Sequence, residues 1–421
     1  MLQPPSLQHL VPESHPLPNG NTLYSFVNPN IELVKLDITL EAGSAYQQKK
    51  SLAHAANQLF GEATARHTAS EIAEFLDFRG IVVERLSDVC VSNISFYFHR
   101  KYAAELFPVI REMFDNPVIT PEMFEAYKSH RRQQIEMGFQ QTNFTARNLF
   151  YECLYGFDHP LGTYYAKASD LDLLTIDDVS SFIKERFILP AAHLVLSGQV
   201  DDGLLRLADN NLSPSTPLQT YAPVVLSNPE HHGPFQPAHY SLPDAVQSTI
   251  RIGRVLPMSW DSPDYARFML LNTVLGGYFG SRLMSNIRED KGYTYGIYST
   301  TQIFRGSIVF YITADVASEA TRPAVKEVFA EIERLQAEPV TDEEMDRVRN
   351  YMMGDFIRSI DGVFEVSERY RQMVATYVTE QQATNLLDAI ANVTPNQLQD
   401  LACRYLTDLL VVTAGSALDP L

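Results

Sequence analysis

The spacing of apolar positions changes several times along this chain, and each change marks an element. Residues 31–40, IELVKLDITL, alternate apolar and polar side chains, the two-residue period of a half-buried strand. Val89, Val91, Ser95 and Tyr97 alternate less strictly and predict a second strand. Between them the period lengthens, and Ile72, Phe75 and Leu76 share one face of a helix. Thr68 opens that helix with Glu71 three residues on, and Gly80 closes it. Strands and helices alternating within one stretch predict an α+β layer arrangement, a sheet with helices on one face.

The pattern then recurs. Residues 111–136, REMFDNPVITPEMFEAYKSHRRQQIE, parallel residues 333–356, ERLQAEPVTDEEMDRVRNYMMGDF. In both, an amphipathic helix ends before Pro-Val and a threonine opens a long helix. Thr120 is followed by Pro121 at the first helical position, and Thr341 is paired with Glu344 in a capping box. Residues 174–198 parallel 393–415 in the same way: Thr175 with Asp178, and Thr394 with Gln397, each head a helix that leads into an apolar strand ending in glycine. The matched landmarks, Pro117 with Pro339, Thr175 with Thr394 and Gly198 with Gly415, keep one order and nearly one offset. We therefore expect two tandem homologous domains, 1–212 and 244–421, each a mixed or antiparallel sheet covered by helices. Between them residues 213–243 hold seven prolines, which suits an extended connector. His231, His232 and His239 fall in that stretch and are expected on a solvated loop.

Composition narrows the function classes. Of 421 residues, 45% are hydrophobic and 20% charged, the balance of a globular protein with a sizeable core. A net charge of −18 repels a phosphate backbone, so no nucleic-acid partner is expected. Cys90, Cys153 and Cys403 are widely spaced and odd in number, which predicts neither a disulfide framework nor a zinc ribbon. The proline-rich, polar N-terminus lacks an apolar signal segment, and no apolar run is long enough to span a membrane. A cytoplasmic protein without a membrane partner is expected. No serine-hydrolase elbow, phosphate-binding loop or dinucleotide fingerprint occurs.

Residues 40–64, LEAGSAYQQKKSLAHAANQLFGEAT, resemble the zinc-site region of the insulinase/pitrilysin metallopeptidases, a family that includes the mitochondrial processing peptidases. The resemblance implies an inverted zinc motif on one helix, with two histidines as ligands, a glutamate as general base and a third, glutamate ligand downstream. In this sequence only the first ligand, His54, is kept. Asn57 stands at the base position and cannot take a proton near neutral pH; Gln58 stands at the second ligand position. The third ligand position falls on Gln133 or Gln134, with Glu136 slightly out of register. No metal site and no cofactor are expected in this chain. Zinc is expected only in a partner.

Residues 270–299, LLNTVLGGYFGSRLMSNIREDKGYTYGIYS, resemble the family's other signature. There the likeness assigns substrate contact to Arg288 and Tyr295, with Gly276 and Gly277 allowing a tight turn or close approach ahead of them. Arg282, Tyr293 and Tyr298 are neighbouring candidates, and Tyr293 takes the tyrosine role if the register shifts. Together these features identify the chain as resembling a non-catalytic subunit, one half of a clamshell. The implied function is substrate binding within a heterodimeric zinc peptidase, with Arg288 and Tyr295 reaching a peptide held at the site of a zinc-motif-bearing paralogue. The alternative is an inactive scaffold homologue with no peptidase role.

Overall fold

The computed structural model describes residues 11–162, 166–213, 220–229 and 235–416. The first half runs β1 (Glu13–Pro16), β2 (Thr22–Val27), β3 (Leu33–Leu40), α1 (Leu52–Leu59), β4 (Ala63–Thr64), α2 (Ala69–Arg79), β5 (Val82–Ser87) and β6 (Ser92–His99). It continues through α3 (Ala103–Asp115), β7 (Pro117–Val118), α4 (Pro121–Gly138), α5 (Thr142–Tyr155), α6 (Ile176–Arg186), β8 (His193–Gly198) and α7 (Asp202–Leu212). The second half begins β9 (Ala238–Ser241), β10 (Gln247–Val255), α8 (Pro263–Asn272), β11 (Thr294–Phe304) and β12 (Ser307–Ala317). It ends with α9 (Thr321–Ala337), α10 (Asp342–Arg358), α11 (Val363–Thr376), α12 (Glu380–Asn392), α13 (Pro395–Tyr405) and β13 (Leu410–Gly415).

Six strands form one sheet in the order β1-β2-β8-β3-β6-β5, and five form a second in the order β11-β12-β10-β13-β9. Both are mixed: β2 runs parallel to β8 and β9 parallel to β13, while the remaining pairs are antiparallel. The architecture is α+β, as expected. Its helix starts follow the caps read above. Thr68 with Glu71, Thr175 with Asp178 and Thr394 with Gln397 each close a capping box. Thr341 accepts the Glu344 amide, but the Glu344 carboxylate does not return to the cap. It takes the Arg282 guanidinium through two bonds of 2.9 and 2.8 Å, a stronger partner than a single amide.

The alternation in β3 has a different meaning from a half-buried strand. Val34, Leu36, Ile38 and Leu40 join the core that α1, α3 and α6 complete. The opposite face, with Lys35, Asp37 and Thr39, is buried as well. What covers it is α11, a helix of the other half, which packs on β2, β3 and β8. Lys35 Nζ pairs with Asp37 at 3.0 Å and Glu368 at 3.4 Å, and Ser367 of α11 donates to Asp37 at 3.3 Å. Burial pulls the Lys35 ammonium down, but Asp37 first, with Tyr97 and Glu368, outweighs it and its pKa rises, so the ammonium stays charged. β6 begins only at Ser92: Val89 and Val91 precede it and sit in an apolar cluster with α5 instead.

The exchange of helices is mutual. α5 crosses to the second sheet and packs on β9, β10 and β13. Phe150, Tyr151, Leu154 and Tyr155 meet Val309, Leu410 and Val412 there. Tyr155 hydrogen-bonds Ser307 at 2.6 Å and Tyr151 donates to Gln302 at 2.8 Å. Helices therefore lie on both faces of each sheet, one face supplied by the other half. Part of the proline-rich stretch is also structured: β9 extends the second sheet, and His239 on it hydrogen-bonds Thr413 at 2.8 Å rather than standing on a loop. His231 and His232 lie outside the described residues. Cys90, Cys153 and Cys403 are free thiols. Among the described residues no helix is long and apolar enough to cross a membrane.

Candidate functional site

α1 carries His54, Asn57 and Gln58. Its alanines, Ala53, Ala55 and Ala56, are fully buried, so the helix lies close against its neighbours. His54 and Gln58 are four residues apart and share a face. His54 Nδ1 lies 2.9 Å from the Tyr127 hydroxyl of α4, in a hydrogen bond. Burial first, and then Arg131 one turn along α4, push the imidazole down to about 3, so it is neutral near pH 7. Asn57 is fully buried and donates to the Leu86 and Asn93 carbonyls at 3.3 and 3.4 Å, stitching α1 to β5 and β6. Gln58 donates to Asn57 Oδ1 at 3.2 Å.

Gln134 does not join them. It is exposed on α4, bonded to His130 at 2.7 Å and to Arg131 at 3.3 Å within its own helix. The α4 residues facing His54 are Tyr127 and Arg131, a phenol and a cation one helical turn apart. Neither was singled out from the sequence, although that spacing was legible there. These residues do not fit zinc. The one imidazole is engaged by a phenol, the other positions are neutral amides, and a guanidinium stands beside them. Among the described residues no cluster of three or more His, Cys, Asp or Glu could hold a metal ion.

A pH dependence follows. An imidazole whose pKa is lower folded than unfolded binds its proton mainly in the unfolded chain. Stability is therefore full above the ordinary histidine range and falls as pH drops from about 6.5 toward 3. At pH 5 we expect His54 alone to cost about 2 kcal/mol relative to pH 7.5. Urea unfolding of the chain and of His54→Gln at the two pH values checks this. Equal pH slopes in both proteins would refute it.

The second-half residues sit on two π-helical turns, Thr273–Gly277 and Met284–Asp290, a rare geometry frequent at functional sites. Gly276 is the close approach: an added Cβ would lie 2.7 Å from the Ser299 amide nitrogen of β11. Gly277 is less tight, with Asn272 Nδ2 at 3.2 Å. The second π turn is tied to β11 by the Tyr293 amide donating to Ile287 O at 3.0 Å and the Ile297 amide meeting Met284 Sδ at 3.4 Å. β11 is a sheet edge, and its pairing with β12 slips between Thr294 and Ile297. Tyr295 sits in that irregularity, which turns its ring outward to 92% exposure.

The Arg288 guanidinium lies 4.5 Å over the ring of Phe279, which is 62% exposed, and its Nη1 is shielded with no hydrogen-bond partner. Its neighbours are otherwise spent: Arg282 is clamped by Glu344, and Tyr293 packs on the second core. Tyr298 is half exposed on the same strand. The face thus presents one unengaged fork of N–H donors and a free phenol, groups suited to peptide carbonyls. Phe279, the platform under Arg288, was missed in the sequence; its place just after the glycine pair is the signal that could have found it.

Comparison with known proteins fits this arrangement. Residues 173–352 match the family model described as the peptidase M16 inactive domain. That stretch is similar to a peptidase M16 inactive domain. The chain is 24% identical over 409 residues to an uncharacterized zinc protease of Rickettsia felis, covering 93% of this chain and 94% of that one. It is 20% identical over 412 residues to the mitochondrial-processing peptidase subunit beta of Lentinula edodes, covering 93% and 87%. The fold is shared with a peptidase M16 inactive domain from Pseudomonas fluorescens, TM-score 0.82 at 18% identity, covering 97% of this chain and 99% of that one. It is shared equally with a protease from Helicobacter pylori, TM-score 0.82 at 17% identity, covering 96% and 99%. These likenesses are to M16 peptidase homologues, and in this chain His54, Asn57 and Gln58 carry no carboxylate base and a single imidazole.

Proposed function

We propose that this chain binds peptide and completes the active site of a zinc-bearing M16 paralogue, as the non-catalytic half of a heterodimeric peptidase. The observation that carries this reading is the contrast between its two signatures. At the first, His54, Asn57 and Gln58 are consumed by contacts within the fold. At the second, Arg288 is half-buried over Phe279 with a shielded Nη1 that has no hydrogen-bond partner among the described residues, and the Tyr295 ring is exposed. An unpartnered guanidinium nitrogen and an exposed phenol are left over from the needs of the fold. The relative described as a processing-peptidase subunit beta supports a multi-subunit setting.

The test is reconstitution. The chain is mixed with a paralogue of similar length that carries an intact His-x-x-Glu-His motif, and cleavage of a peptide library is followed. Activity that appears only in the mixture, together with a one-to-one complex by sizing and light scattering, is the expected result. A chain that forms no such complex and leaves the paralogue's activity unchanged would sink the proposal.

A further inference from the structure

Two cavities meet beside α11. One, of about 800 Å³, lies between α11 and the polar face of the first sheet, with Lys35, Ser95, Tyr97 and Glu368 in its wall. The other, of about 1100 Å³, opens between α8, β11, α11 and α12. Leu86, Arg369, Arg371 and Gln372 line both, so the two spaces share one wall and adjoin. Both have mixed walls, and in the second an apolar side is made by Trp260, Tyr265, Met269, Ile303, Met373 and Leu386. At about 1100 Å³ it lies just above the roughly 300–1,000 Å³ of small-molecule sites.

The charges at the junction are unequal in their satisfaction. Arg371 is bonded to Glu368, and Arg267 lies 3.5 Å from Asp264. Asp88 accepts the Val89 amide at 2.7 Å, and Asp261 is exposed at the mouth. The rim amides Gln302, Gln382 and Gln397 are engaged by Tyr151, Thr379 and Thr394. Arg369 differs: it donates to Ser359 at 3.2 Å and stacks 4.5 Å over Phe356, but its Nε is buried with no hydrogen-bond partner. Among the described residues no carboxylate forms an ion pair with it. Burial lowers its pKa, only partly opposed by Asp355. A shielded cation of this kind is stabilised by an anion.

We propose that the apolar cavity binds an aliphatic carboxylate of the fatty-acid type, its chain along Trp260, Met269 and Leu386 and its anionic head at Arg369. The inference goes beyond the reading of Arg288 and Tyr295 and does not depend on it. One cation without a carboxylate partner among the described residues, beside an apolar wall, selects a ligand with an anionic head and an aliphatic chain. Each methylene added within the cavity strengthens binding about three- to fourfold.

Trp260 is the only tryptophan in the chain, so its fluorescence reports on the cavity directly. The full chain is titrated with octanoate, decanoate and dodecanoate below their micelle concentrations, and with dodecanol, dodecylamine and an apolar tripeptide acid. We expect a saturable Trp260 change with dodecanoate and a rise in affinity along the series. Arg369→Gln is expected to weaken dodecanoate at least tenfold while leaving dodecanol within about twofold. Ala389→Phe, on the cavity wall, is expected to abolish both, with thermal unfolding run beside it to show that the variant is folded. The proposal is overturned if dodecanoate gives no saturable change, if dodecylamine binds as tightly, or if Arg369→Gln weakens acid and alcohol equally. Binding of the tripeptide acid without binding of dodecanoate would also overturn it, in favour of a peptide terminus.

Discussion

Arg305→Met is expected to lower the unfolding free energy by about 3–5 kcal/mol, toward the lower end of that range. Arg305 sits at the β11–β12 turn of the second half with its side chain 1% exposed, and holds Glu41 of the first half through bonds of 2.6 and 2.8 Å. It also donates to the Ala375 carbonyl at the end of α11 at 2.7 Å and lies 3.9 Å over the Tyr377 ring. Tyr46 and Tyr377 donate to the same carboxylate. Removing the cation leaves Glu41 with phenols alone, a largely buried charge without its partner. Glu41 is 20% exposed, and water there softens the loss. Glu41→Gln combined with Arg305→Met is expected to recover more than half of it, since an amide can accept from one phenol through its oxygen and donate to the other's oxygen through its nitrogen, without a charge to solvate. Urea unfolding of the two variants decides. A single variant within about 1 kcal/mol of the parent would mean that the pair is screened like a surface one and that the apolar clusters alone join the halves.

In a reconstituted peptidase, Arg288→Ala is expected to lower kcat/KM about 10²–10³-fold, the usual loss for a donor aimed at developing charge. The chain itself should unfold within about 0.5 kcal/mol of the parent, because Arg288 forms no ion pair and rests on an exposed Phe279. Arg288→Lys should lie between, keeping the charge but losing the planar fork. Tyr295→Phe should act in the same direction without touching the fold, since the ring is almost wholly exposed. Steady-state kinetics on the complex, with the complex itself quantified, separates a contact role from failed assembly. Unchanged kinetics in both Arg288→Ala and Tyr295→Phe would remove this face from the peptide site.

Local chemistry carried much of the fold in readable form. Three capping boxes close as their spacing predicts, because a threonine hydroxyl and an acidic or amide side chain three residues on satisfy amides within a single turn. The Thr341 box stays open because a competing partner, Arg282, arrives from residues far away in sequence. The glycine pair was legible as a close approach, and Gly276 makes it. The resemblance singled out Arg288 and Tyr295, but no local chemistry separates Arg288 from Arg282. In the structure Glu344 engages Arg282 and leaves Arg288 without an ion pair among the described residues. The third metal position shows the same limit. The register of the resemblance placed it on Gln133 or Gln134, but the turn of α4 brings Tyr127 and Arg131 to His54.

By itself the sequence determined the α+β pattern of each half and the caps that start its helices. Each of these depends on residues a few positions apart, where backbone geometry dictates who meets whom. Only the tertiary structure decided that α5 and α11 exchange halves. An alternating strand such as β3 signals two different faces without saying whether water or another helix covers the polar one. Here α11 covers it, because Lys35 and Asp37 neutralise each other and Glu368 and Ser367 supply the remaining partners. That exchange binds the halves together and brings Arg369 of α11 to the edge of an apolar cavity, a juxtaposition no local pattern encodes.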